Sequence, residues 1–313
     1  MRFPGKRKIP TKLTVPFDGD LCHNNDRCKT KKENSKVQEE KMTNHESKKA
    51  KKSSQAAYTV IMLIGLALVI FACVNLVRII GNYYKSNKIY GDLNDKYVTE
   101  AAEQVTEGTE TTEEVPWYTL ASVDLKSLQQ QNPEVAGWLY FENEKISYPI
   151  MYSGDNDKYL RTTWDGQSAS AGSIFLEEAN SPDFNDSHTL IYGHNMKDLS
   201  MFGRLKYYKE KDDYYKDHQF FQIFTGDMIY RYQIFGYEDI DPDSFVYTVP
   251  YGENDEFQSF IDQLYKLSYK DTGVSAKSVN KIVTLSTCSA DDKRFVVHGV
   301  RVNQYQISEG VEQ

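Results

Sequence analysis

The chain has 313 residues, 40% hydrophobic and 26% charged, with a net charge of −8. These values exclude collagen, coiled coil and a wholly disordered chain, and four cysteines are too few for a disulfide-stapled scaffold. The acidic balance argues against a nucleic-acid partner. The average hides a division: residues 1–55 carry 15 Lys+Arg against 7 Asp+Glu, a net of +8, which leaves −16 for the remainder.

The basic tail 1–55 is rich in Lys, Asn and Ser and lacks apolar periodicity, so it is expected to be disordered. Cys22, His23 and Cys28 raise a metal reading, but Cys-x5-Cys fits no usual zinc spacing and no second pair follows; no metal site is expected. Residues 56–77, AAYTVIMLIGLALVIFACVNLV, carry no formal charge. At about 1.5 Å per residue they reach about 33 Å, enough for a bilayer core of about 30 Å. The run is too long and starts too late for a cleaved signal peptide, which predicts an uncleaved membrane anchor. Lys48, Lys49, Lys51 and Lys52 precede it, and cations are sparser after it. The positive-inside bias puts the N-terminus in the cytoplasm and the rest of the chain outside.

Residues 78–116 are expected to form an extracellular stalk, chiefly over 86–116, because the acidic, Thr-rich run 100–116 offers no large apolar residue to bury. From Trp117 the composition changes: all three Trp, 12 of 15 Phe and 18 of 23 Tyr lie in 117–313, which predicts one aromatic-rich domain. A helix is expected over Val123–Gln131, ended by Asn132-Pro133. Eight strand-like runs follow, at 137–141, 146–152, 172–176, 189–193, 219–224, 228–238, 281–288 and 294–302. They suggest a mainly β domain, a closed barrel or a sandwich. Helical spacing of Met201, Leu205 and Tyr208 predicts a helix over 201–208, and Phe257, Phe260, Ile261, Leu264 and Tyr265 predict another over 254–267.

Cys288 is the only cysteine after the span, so it has no intrachain disulfide partner outside the membrane. Spacing alone leaves two readings open, buried filler or reactive nucleophile. It closes the strand-like run IVTLST and precedes a polar loop, which holds a side chain at a sheet edge, and Arg294 opens the next strand. A guanidinium there could lower the thiol's pKa or hold a developing oxyanion. Of the histidines beyond the span, His194 follows a strand and Gly193, whose freedom suits a tight turn presenting the imidazole. His298, on the strand with Arg294, is its main rival; His188 and His218 read as loop and charged-segment residues.

These residues resemble a family. TLSTC at 284–288, Arg294 after it and YGHNM at 192–196 resemble the signatures of sortases, and TLSTC resembles class B. The likeness extends through NPEVAGWLYF (132–141), YPIMYSGDNDKYL (148–160), GSIFLE (172–177) and SMFGRL (200–205). It implies an eight-stranded β-barrel with peripheral helices in 117–313, preceded by one transmembrane helix. It further implies a cysteine transpeptidase with Cys288 as nucleophile, His194 as general acid/base and Arg294 positioning substrate and supporting the oxyanion. Tyr192 and Ser286 match groove positions. The implied partners are secreted proteins bearing a C-terminal sorting motif and a lipid-linked peptidoglycan precursor or pilin amine, with no cofactor. A membrane-tethered protease and a non-catalytic surface binding module are the alternatives. The Cys-x5-Arg interval is shorter than the class B pattern, which predicts a trimmed loop.

Overall fold

The computed structural model describes residues 25–101, 115–289 and 292–307. Cys22, His23 and the rest of the tail before residue 25 lie outside them. The chain divides into two units, Met1–Asn75 and Leu76–Gln313.

Helix α1, Asn25–Tyr97, is the one described helix long and apolar enough to cross a membrane. Its apolar side chains Ile61, Leu63, Leu66, Leu68 and Phe71 are all exposed. Within the described residues, 25–55 are helical where disorder was expected. Lys, Glu, Gln and Ala are strong helix formers, and a segment without an apolar stripe can still be a helix exposed all round.

The stalk expectation also fails over 86–101. The last turns of α1 bury Tyr90, Leu93 and Tyr97, a stripe at i, i+3 and i+7, in the core of the second unit. The Tyr90 hydroxyl donates to the Gly172 carbonyl at 2.6 Å, and Asn94 Nδ2 donates to the Ser147 carbonyl at 2.9 Å. Strand β1 (Val98–Glu100) then pairs antiparallel with β2 (Ala121–Val123). The folded unit therefore starts well before Trp117; residues 102–114 of the acidic run lie outside the described residues.

Helix α2, Leu125–Gln131, is capped by Asp124, whose carboxylate accepts from Ser127 N at 3.0 Å. The eight expected strands are β3 (Val135–Phe141), β4 (Ser147–Met151), β5 (Ile174–Leu176), β6 (His188–Tyr192), β7 (Phe220–Phe224), β8 (Met228–Ile240), β9 (Ile282–Cys288) and β10 (Arg294–Gln306). They close into a barrel in the order β10-β8-β7-β3-β4-β5-β6-β9. Neighbours are antiparallel except β4 with β5 and β6 with β9. Leu139, Phe221 and Tyr232 share the inner face of the barrel and fill its interior.

Of the helix expected over 201–208, only α3, Tyr207–Glu210, forms, and a second short helix, α4 (Tyr214–Asp217), follows it. Residues 202–206 are turns, and Gly203 packs so closely that a Cβ there would lie 2.4 Å from the Met196 carbonyl oxygen. Met201, Leu205 and Tyr208 are buried all the same, so burial produced the spacing without a helix. Helix α5, Asp255–Leu267, is capped by Asn254 and buries Phe257, Phe260, Ile261 and Leu264. These pack on Phe235, Ile282, Val296 and Val300 on the outside of the barrel.

Candidate active site

Strand β9 is buried from Ile282 to Thr287 and emerges at Cys288, a free, exposed cysteine. Antiparallel register sets Cys288 directly opposite Arg294 on β10. Directly opposed side chains share a sheet face with Cβ atoms about 5 Å apart. Only five residues separate the two strands in sequence, and Ser289 N donates to the Lys293 carbonyl at 2.9 Å just beyond the Cys288–Arg294 pair.

Parallel pairing of β6 with β9 brings Tyr192 opposite Ser286, and Gly193 N extends the ladder to the Ser286 carbonyl at 3.1 Å. The glycine serves close packing: a Cβ on Gly193 would meet Ile174 Cδ1 at 2.4 Å and the Phe202 ring at 2.7 Å. The backbone thus turns directly into His194. Phe202 N donates to the His194 carbonyl at 3.0 Å and holds that turn. The His194 ring lies 2.7 Å, through Nε2, from the Leu160 carbonyl oxygen. A carbonyl only accepts, so Nε2 carries the proton and Nδ1 is left for proton exchange.

All five site residues expected from sequence, Cys288, His194, Arg294, Tyr192 and Ser286, line one cleft of about 280 Å³. Leu160, Phe175, Gly193, Pro242, Tyr247 and Thr287 complete its walls. Tyr192 donates to Glu177 Oε2 at 2.6 Å; burial pushes its phenol well up, and the Glu177 carboxylate adds to this. Tyr247 bonds Ser286 Oγ at 2.8 Å. Burial raises the Tyr247 phenol, with Ser286 and the Arg294 charge opposing.

The rival His298 is fully buried opposite Thr284 and does not line the cleft. Thr284 is four residues from Cys288, about 13 Å at strand rise. His298 instead joins a covered chain: His188 Nδ1 donates to the Thr248 carbonyl at 3.2 Å, and its Nε2 lies 2.8 Å from Thr284 Oγ1. Thr284 Oγ1 is 2.8 Å from His298 Nδ1, and His298 Nε2 is 3.0 Å from Glu238. Burial pushes the His188 imidazole down to about 3. His218 is stacked on Tyr214, its Nδ1 2.7 Å from the Tyr214 carbonyl.

Two residues of this region escaped sequence reasoning. Tyr247 comes from the connection between β8 and α5, and no spacing ties it to TLSTC. Asn195 donates from Nδ2 to the Cys288 carbonyl at 2.8 Å; its position beside His194 was the available signal. Among the described residues, no cluster of His, Cys, Asp and Glu is arranged to hold a metal ion.

The Sortase domain family model matches residues 140–302. The chain belongs to the sortase family. It is 34% identical over 185 residues to Sortase B of Listeria monocytogenes, covering 58% of this chain and 75% of that protein. It is 28% identical over 177 residues to Sortase B of Staphylococcus aureus, covering 55% and 72%. Sortase B from Bacillus anthracis in complex with AAEK1 superposes with a TM-score of 0.59 at 29% identity, over 72% of this chain and 99% of that one. The likeness to class B sortases identifies a cysteine transpeptidase of cell-wall sorting, and the closed barrel with peripheral helices is the sortase fold.

Proposed function

We propose that this sortase acts as a membrane-anchored transpeptidase in which Cys288 is the nucleophile, His194 the general acid/base and Arg294 the oxyanion and substrate donor. The observation that carries the reading is the register of Cys288 against Arg294 at the mouth of the cleft that His194 also lines. The Cys288 thiolate attacks the carbonyl carbon of a threonine in a sorting motif near the C-terminus of a secreted protein. A C–S bond forms, the C–N bond breaks, and His194 delivers its proton to the leaving amine. The planar donors of Arg294 steady the oxygen that becomes negative in between. An amine of a lipid-linked peptidoglycan precursor or of a pilin then attacks the thioester: a C–N bond forms, the C–S bond breaks, Cys288 leaves as thiolate, and His194 accepts the amine's proton. Tyr192 and Ser286 shape the cleft; the Ser286 hydroxyl is engaged by Tyr247, which supports a wall role over a chemical one.

The apolar run in α1 is the anchor, and Lys48, Lys49, Lys51 and Lys52 keep the N-terminus cytoplasmic, so that the barrel works on the outer face. Anchorage fits the chemistry, because a lipid-linked amine lies in the same membrane plane.

Mass spectrometry of Cys288 after incubation with a library of sorting-motif peptides tests the reading: a thioester on that residue is expected. Adding an amine acceptor should then yield ligated peptide. Hydrolysis alone with every amine would convert the assignment to a tethered protease, and an unacylated Cys288 would end it.

A further inference from the structure

The residue after the nucleophile is gripped from outside the cleft. Lys209 on α3 donates from Nζ to Ser289 Oγ at 2.8 Å and to the two carboxylate oxygens of Asp239 at 3.0 and 2.8 Å, which occupies all three ammonium protons. Asp239 lies on β8 opposite Phe295, the residue after Arg294, and the Lys209 ammonium sits 5.1 Å from the centre of the Phe295 ring. The Tyr269 hydroxyl donates to Asp239 Oδ2 at 2.9 Å. Burial pushes the Asp239 carboxyl up, but its donors Lys209, Ser289 and Tyr269 outweigh that and hold it below its ordinary value. Lys209 and Asp239 are each about three-quarters covered, so this pair is less screened than the exposed Lys293–Asp241 pair at the loop's other end.

The grip has a second point. Residues 194–209 run from His194 to Lys209 as one connection, and that connection reaches the nucleophile's loop at both ends. Asn195 bonds the Cys288 carbonyl at 2.8 Å, and Lys209 bonds the Ser289 hydroxyl. The segment bearing His194 is thereby fastened to two consecutive residues of the segment bearing Cys288. A displacement of about 1 Å between reacting groups can cost on the order of a hundredfold in rate.

We propose that Lys209 is a positioning residue of this sortase, which acts through Ser289 and Phe295 to hold Cys288 and Arg294 in attacking register with His194. The proposal rests on the acyl-transfer reading above. Lys209 does not line the cleft; with its charge matched by Asp239, it acts on geometry and not on the charge at the thiol.

The test uses the full chain in detergent micelles and p-nitrophenyl acetate, which needs no sorting motif. Its acetyl carbon bonds to Cys288 Sγ as its C–O bond breaks, and the burst of p-nitrophenolate reports the acylation rate. Lys209→Met keeps the aliphatic stem and removes the donors; Ser289→Ala removes only the gripped hydroxyl. Each should lower the burst rate on the order of tenfold, and the double variant should be no slower than the slower single. The pH profile of iodoacetamide alkylation should match the parent chain. Burst rates within twofold of the parent in both single variants would overturn the proposal. So would multiplicative losses in the double variant, or a loss that follows a shifted alkylation profile. If Lys209→Met does not fold, Ser289→Ala decides alone by the same tenfold criterion. A parent chain with no burst would instead overturn the acyl-transfer reading, and the proposal with it.

Discussion

Replacing Leu93 by alanine discriminates most sharply between a folded and an extended junction after the apolar run of α1. Leu93 is 3% exposed and sits between Tyr90 and Tyr97 in the main core. Truncating a leucine this buried costs about 2–5 kcal/mol, from lost transfer energy plus the cavity that remains. The lower half of that range applies here, because a terminal helix can settle into the gap, so about 2–3 kcal/mol is expected. For a unit of this size, about 2–4 °C per kcal/mol translates that into a fall in Tm of about 4–12 °C. Urea unfolding of a chain beginning at Gly81, followed by tryptophan fluorescence, measures it, with Val115→Ala as the control. Val115 is 57% exposed, so its truncation should stay within about 0.5 kcal/mol. A Leu93→Ala chain as stable as that control would refute the docking of α1 and restore a stalk from residue 78. The same reasoning expects a chain cut at Trp117 to be markedly less stable than one cut at Gly81, since it loses all three buried side chains and strand β1.

Four further positions give distinct outcomes. Arg294→Lys keeps the charge but loses the planar fork, and should lower the acylation rate on the order of 10²-fold, the scale of one oxyanion donor; a rate near that of the parent chain would favour a field effect. His194→Ala should remove acylation nearly as completely as Cys288→Ala, whereas His298→Gln should reduce stability and spare the acylation rate of the folded fraction. His188 is kept neutral in the folded chain down to about pH 3, against an ordinary value of 6.5, by burial first and by the neighbouring His298 second. The unfolded chain therefore binds the extra proton first as pH falls. Stability from this group is complete above pH 6.5 and is lost toward pH 3, at up to about 1.4 kcal/mol per pH unit. Urea midpoints at pH 6.5 and 4.5 should fall more in the parent chain than in His188→Gln; equal slopes would refute the linkage.

Much of the barrel was legible because each strand alternates or runs apolar between turn residues, and tertiary contacts reinforced what the local pattern stated. Cys288 and Arg294 were legible as neighbours in sequence, but their direct opposition depends on the length of the loop between them and shows only in the ladder. The docking of α1 was obscured because Tyr90, Leu93 and Tyr97 are interspersed with Asn, Gly, Lys and Asp, which read as a solvated linker. Strand β1 finds its partner across the long acidic run, a pairing with no local signal. Over 201–208 the periodicity was real and the helix was not, because Gly203 and the close approach to Met196 favour turns. Tyr247 reaches the cleft from a connection some forty residues before TLSTC, and only closure of the barrel brings it there.

The location of the cleft follows from how far α5 extends over β9. Odd positions Val283 and Leu285 point into the barrel, while Ile282 packs in the outer cluster beneath α5. Two residues on, the outer face becomes polar at Thr284, still fully covered, and its hydroxyl is satisfied by two histidines that α5 shields; the His188 ring lies 4.8 Å from that of Phe260. At Ser286 the cover has narrowed to Tyr247, and at Cys288 it is gone. One strand thus carries a gradient from apolar core through a buried polar network to an open cysteine thiol, in steps of two residues. That gradient explains why the imidazole nearest in sequence to Arg294 is unsuitable for proton transfer. His298 lies on the same face but at the covered end, where its nitrogens are committed to Thr284 and Glu238. The imidazole at the open end must come from another strand. The parallel pairing of β6 with β9 supplies it, because a parallel neighbour ends at the same edge of the sheet, and the residues just beyond its end are Gly193 and His194.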